Sequence, residues 1–344
     1  MTRGAIEMTP AGPRRVLAVR VGRGGDLVMI TPALRMLLDG LPDVELDLLT
    51  SADGPRILRG FDPRLARFHL YHRRFPGSLF LRARLRQALR RGGYERVYLF
   101  ESHPHYRAFV EGAAPEVHAL GVASAGRHYC VRCLDVVEPT LQHPQPRGWI
   151  SLPLTEAARA AASRYLAAHG LADSDRLVGL HLTFSESARG PFAGRRGHRN
   201  RGWSDAAGAD LARRLVEHGR SQGRAIRPVV DILPHERGLL AGFLERAGDA
   251  VTVLSGPPDF ERYKAVLARL ALLVTPNTGP MHVAAAVGTP VVALFSGWSP
   301  AECGPFVPPG RARVLRAEDT AEPARGLAAI SAAAVLEACQ TFLP

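Results

Sequence analysis

A carboxylate that follows a run of glycines at the end of an apolar strand is placed to take a proton from a bound hydroxyl. Asp26 has that setting in Gly22-Arg-Gly-Gly-Asp26. Gly24 and Gly25 allow backbone to come close to a ligand, and the next residues read as the start of a helix. The competing reading is a helix cap, since Asp is a favoured N-cap and the helix dipole stabilises its charge. The spacing is not G-x-G-x-x-G, which disfavours a dinucleotide-binding turn.

A second constellation is Thr275-Pro-Asn-Thr-Gly-Pro-Met-His282, followed by Ala284-Ala-Ala-Val-Gly-Thr-Pro290. Asn277 and Gly279 make a turn, Pro280 suits an early helical position, and small residues let the helix pack close to a sheet. The amides of Thr278 and Gly279 are then placed to bind a diphosphate. His282 falls in the first turn of that helix, with a satisfied structural histidine as the alternative. A third segment, Arg201-Gly-Trp203-Ser204, offers a cation and an aromatic ring for a diphosphate. The alternative there is a cap at Ser204 with Trp203 packed inside.

These residues need elements to hold them. Val16 to Val21 reads as a strand, Thr31 to Leu38 as a helix and Glu45 to Thr50 as a second strand, which together make a right-handed βαβ unit. Leu81, Leu85 and Leu89 mark a helix before a strand at Arg96 to Phe100. From Leu177 a new series of alternating strands and helices runs to Leu294. The spacing leaves 103–147 unassigned. The expected fold class is α/β, with two doubly wound Rossmann-like domains facing across a cleft. The expected boundaries are a tail at 1–15, a first domain at 16–170, a second at 171–327, and a last helix at 328–344 crossing back to the first.

Composition narrows the function classes. The chain has 344 residues, a formal charge of +12, and Lys264 as its only lysine, so almost all of its positive charge is guanidinium. Arg grips phosphate through a planar fork, and a basic surface concentrates anionic partners. No nucleic-acid-binding motif accompanies the charge. The apolar run Val283 to Phe295 is broken by Gly288 and Pro290 and is too short to span a bilayer. Met1 to Arg15 lacks a signal-peptide core, so a cytoplasmic chain is expected, with a peripheral place at the inner face of the cytoplasmic membrane. Cys130 and Cys133 have CxxC spacing, read either as inert thiols or as a metal or redox pair. Arg73, Arg74, Arg82, Arg84, Arg86, Arg90 and Arg91 surround the leucine stripe, either as a solvated face or as a docking site for a phosphorylated, lipid-linked acceptor on an anionic membrane.

Gly25-Asp26 with Thr31-Pro-Ala-Leu-Arg35, and Asn277-Thr-Gly-Pro-Met-His282 with Gly288-Thr-Pro-Val-Val-Ala-Leu-Phe295 and Gly304-Pro305, resemble the heptosyltransferases of glycosyltransferase family 9. The resemblance implies a GT-B fold and an inverting, metal-independent sugar transfer with no cofactor. It implies ADP-heptose as donor and the lipopolysaccharide inner core as acceptor. It further implies that Asp26 is the catalytic base, that Arg201 faces the donor diphosphate, and that Asn277, Thr278, Gly279, Pro280, Met281 and His282 hold the donor. Relatives often carry Asp in place of Asn277 and Lys in place of Arg201. An amide still hydrogen-bonds a sugar hydroxyl but brings no full charge. Another GT-B transferase or epimerase, or a non-catalytic module that binds nucleotide sugars or anionic glycans, shares these features.

Overall fold

The structure, a computed structural model, describes residues 14–72, 78–121, 126–183 and 202–343. They fall into two compact units. The first comprises residues up to 124 together with 130–148, and the second 125–129 together with 149–344.

The first unit is built on a parallel sheet of β1 (Arg14–Arg20), β2 (Val44–Thr50), β3 (Leu65–Leu70), β4 (Arg96–Leu99) and β5 (Glu116–Ala119), in the order β3-β2-β1-β4-β5. The three inner strands are apolar along most of their length because both sheet faces are covered. A buried charged group breaks that rule. Asp47, buried in the middle of β2, accepts from Tyr94 Oη at 2.6 Å, lies 3.2 Å from His69 Nε2 and pairs with Arg15 at 2.6 Å. Burial pushes its carboxyl up, but the hydrogen bonds from His69 and Tyr94 and the Arg15 charge outweigh this and hold it below the usual range.

The second unit has a six-stranded parallel sheet of β6 (Arg176–Leu180), β7 (Ile226–Ile232), β8 (Thr252–Ser255), β9 (Leu272–Pro276), β10 (Val291–Phe295) and β11 (Ala312–Arg316). Its order is β11-β10-β9-β6-β7-β8. Each sheet therefore reverses its winding once, between β1 and β4 in the first unit and between β6 and β9 in the second. In such sheets ligands bind beyond the carboxyl ends of the strands at the point of reversal.

Several expected boundaries move. The helix Glu156–Ala168 packs on the helix Phe260–Arg269, so it belongs to the second unit, and the division between units falls near 149 instead of 170. The last helix, Ala332–Gln340, buries Val335, Ala338 and Cys339 in the second unit's core against the helix Asp205–Ser221 and β10, where a return to the first unit was expected. Its apolar face finds a complete partner there. The unassigned stretch 103–147 contains the helix Pro104–Val110, β5, and the helix Tyr129–Val137. Edge strands β3 and β11 escape a pattern reading because their exposed, charged positions interrupt the apolar runs. Among the described residues no helix is long and apolar enough to cross a membrane.

Candidate active site

In the first unit β1 ends at Arg20, and the chain turns through Val21, Gly22 and Arg23 into the helix Gly24–Met29. Gly24 and Gly25 open that helix instead of lying in a loop, and Asp26 is its third residue instead of its cap. The Arg23 backbone N–H donates to Asp26 Oδ2 at 2.9 Å, so a capping interaction exists. The other oxygen has a different partner. Arg20 Nη2 lies 3.0 Å from Asp26 Oδ1, with the Asp26 side chain 35% exposed and Arg20 13%.

Arg20 is held in turn. Pairing of Val19 with Leu99 brings Arg20 beside the end of β4, where Nη1 donates to Phe100 O at 3.2 Å and pairs with Glu101 Oε2 at 3.3 Å. Glu101 is 9% exposed and its Oε1 accepts the Val21 N–H at 2.7 Å. The carboxylate of Asp26 is thus tied through one guanidinium to a buried second carboxylate at the sheet's reversal point. Gly22 makes room for this. A Cβ there would stand 2.4 Å from Asp26 Cβ and 2.6 Å from its Oδ2. Ser51 Oγ donates to Gly22 O at 2.7 Å and fixes the turn from the β2 side.

In the second unit β9 runs one residue past its end, the Asn277 N–H donating to Leu294 O at 3.1 Å. Asn277 Nδ2 donates to Cys303 Sγ at 3.4 Å, and Thr278 Oγ1 lies 3.1 Å from Thr275 Oγ1. Thr278 is the extended N-cap residue of the helix Gly279–Ala286, with Pro280 in its first turn. The first amides of a helix have no preceding turn to bond, and the dipole makes that end attractive to anions.

The expected donor residues divide by burial. Asn277, Thr278, Gly279 and Pro280 are half-buried and reach the surface, whereas Met281 and His282 are buried with the helix face that packs inward. His282 is thus held on the inward face of its helix. At the neighbouring β6 end the His181 N–H donates to Val274 O at 2.9 Å. Desolvation pulls the His181 imidazole down to about 4, so the ring is neutral near pH 7. Arg201 and the arginine-rich segment around it lie outside the described residues. Trp203 is buried, its Nε1–H donating to Ile330 O at 2.9 Å, and Ser204 Oγ accepts the Ala207 N–H at 3.1 Å. Cap and core packing therefore account for Trp203 and Ser204.

Cys130 and Cys133 are fully buried on the helix Tyr129–Val137, and burial raises the Cys130 thiol far above its usual range. That burial favours the inert-thiol reading of the pair. Among the described residues no group of three or more His, Cys, Asp or Glu side chains is arranged to hold a metal. Arg20 and Glu101 are the functional candidates that residue patterns did not single out. Their only linear signal is a charge at the carboxyl end of each of two apolar strands.

Two parallel α/β sheets, each reversing its winding once, are those of the GT-B fold. A glycosyl transferase family 9 structure from Veillonella parvula is similar over 96% of this chain and 97% of its own, with a TM-score of 0.77 and 19% identity. The E. coli ADP-heptose lps heptosyltransferase II gives 0.71 and 19%, covering 96% and 98%. The E. coli heptosyltransferase WaaC with ADP gives 0.70 and 20%, covering 95% and 99%. Residues 236–326 match the model of glycosyltransferase family 9 (heptosyltransferase). No curated protein matches the sequence.

Proposed function

We propose that this enzyme moves a sugar from a nucleotide sugar, heptose from ADP-heptose, onto a lipopolysaccharide core or related glycan, with inversion and without a metal. The observation that carries the reading is the setting of Asp26. It sits at the reversal point of the first sheet, braced by Arg20 and the Arg23 amide, and still has about a third of its side chain open to solvent. Each carboxylate oxygen has a second lone pair, so both contacts leave room to accept a proton.

In this reaction the acceptor hydroxyl oxygen bonds to the anomeric carbon as the bond to the diphosphate breaks. The electron pair leaves with the nucleoside diphosphate, and the hydroxyl proton passes to Asp26. General-base assistance of this kind contributes roughly 10²–10⁴ in rate. The Thr278 and Gly279 amides and the helix behind them receive the leaving diphosphate's charge. Asn277 hydrogen-bonds the donor as a neutral group. The two E. coli structures named above are heptosyltransferases, one of them with ADP. The reading places the enzyme in the cytoplasm, at the inner face of the cytoplasmic membrane.

A donor screen against a deacylated lipopolysaccharide acceptor tests it. Release of ADP that requires the acceptor, together with its loss in Asp26→Ala, is the expected result. Nucleotide release without acceptor, sugar epimerisation without transfer, or full transfer by Asp26→Ala would each overturn it.

A further inference from the structure

Half of the exposed large apolar side chains among the described residues lie between positions 70 and 81. Leu79, Phe80 and Leu81 are consecutive, at the start of the helix Ser78–Arg90, and are 78%, 67% and 42% exposed. The same helix is anchored further along by Leu89, buried in the first unit's core, and by Leu85 packed against that core. Its first turn therefore presents an apolar knob while its later turns hold it on the protein.

The charge around the knob has one sign. The helix carries Arg82, Arg84, Arg86 and Arg90 and no acidic residue. Arg84 lies over the Phe80 ring, 5.8 Å from its centroid, at the rim of the apolar surface. Arg82 is tied to His72 O at 3.1 Å, and Arg90 Nε donates to Glu111 O at 3.1 Å. Arg86 is 3.6 Å from Glu111, the acidic neighbour that faces the helix. Contiguous exposed apolar side chains mark contact surfaces, and an apolar tip ringed by guanidinium groups complements an anionic lipid surface.

We infer that the first turn of this helix inserts Leu79, Phe80 and Leu81 below the headgroups of an anionic bilayer while Arg84 and its neighbours bind lipid phosphates. The inference deepens the proposed use of a lipid-linked acceptor and supplies what holds the enzyme at the membrane. The chain's arginine-based charge of +12 favours the same surface.

The test is cosedimentation with vesicles of phosphatidylcholine, alone or mixed with phosphatidylglycerol, with no glycan acceptor present. The protein is expected to bind the mixed vesicles and not pure phosphatidylcholine. Leu79→Ser/Phe80→Ser should weaken binding at least about tenfold, and Arg84→Glu about fivefold. The Leu79/Phe80 variant should keep the parent Tm and the rate on a deacylated acceptor. Unchanged vesicle binding by the Leu79/Phe80 variant would overturn the inference, as would absence of binding by the parent protein. A change from dimer to monomer in that variant would also overturn it, by making the knob an interface between copies. Because the vesicles carry no sugar acceptor, these outcomes are independent of whether the transfer reaction is correctly assigned.

Discussion

The guanidinium of Arg20 stands 3.0 Å from the carboxylate of Asp26, and its other nitrogen reaches Glu101 at 3.3 Å. Arg20 is thus the hinge between a half-open carboxylate and a buried one. If Asp26 is the base as proposed, Arg20→Met should lower kcat about ten- to a hundredfold with little change in donor KM, because it frees the Asp26 carboxylate from its angle and leaves the Asn277 to Pro280 turn intact. Arg20→Lys should recover part of the loss. Glu101→Gln should behave as a milder Arg20→Met. Steady-state kinetics with donor and acceptor varied in turn separate these effects, and an equal fall in donor affinity would disprove the assignment.

Gly22 supplies a steric test of the same arrangement. Gly22→Ala forces a Cβ to within 2.4 Å of Asp26 Cβ, so the turn or the carboxylate must shift. A stability loss of about 1–3 kcal/mol and a fall in kcat are expected. Gly148→Ala is the control, since its Cβ meets nothing within 4 Å. Urea midpoints and initial rates for the pair decide the matter.

Stability should depend on pH through His181. Desolvation lowers its folded value from 6.5 to about 4. Between those values the unfolded chain binds a proton that the folded chain refuses, so stability is full above about pH 6.5 and is lost as pH falls toward 4. His128 is also lowered by burial, which outweighs its hydrogen bond to Gly304 O, and acts in the same direction. The expected loss from His181 is about 1–2 kcal/mol, allowing for its partial contact with solvent. His181→Asn should flatten the slope of urea midpoint against pH in this window. A slope equal to the parent's would remove His181 as its cause.

Lys264, the only lysine, is fully buried and donates from Nζ to Pro153 O at 3.0 Å while pairing with Glu261 at 2.8 Å. It ties the extended segment before the helix Glu156–Ala168 to the helix Phe260–Arg269. Lys264→Met leaves the Pro153 carbonyl without its donor and should cost about 2 kcal/mol. Thermal unfolding of the variant checks this, with Lys264→Arg expected to be destabilised too because a larger head must enter a closed site.

Much of the fold was legible along the chain. Inner parallel strands are covered on both faces, so β1, β2, β6, β7, β9 and β10 read as apolar runs bounded by turn residues. The glycine turn before Asp26 and the Asn277 to Pro280 turn were visible for the same reason, since backbone that bends sharply at a strand end needs particular residues. Edge strands β3 and β11 were not visible, because a half-solvated strand admits charges that erase the pattern.

Partnership was decided only by tertiary structure. Arg20 and Glu101 are 81 residues apart and meet because β1 pairs with β4, a choice of neighbour that no local signal records. Helical spacing placed His282 in the first turn, but which side of that turn faces inward follows from packing on the sheet, and the packing buried it. The unit that the last helix completes was likewise settled by the core that could cover its apolar face. The residue types at Gly22 to Asp26 were set by local conformational limits. The guanidinium that holds Asp26 was set by long-range strand order, whose energy arises only once both strands are buried together.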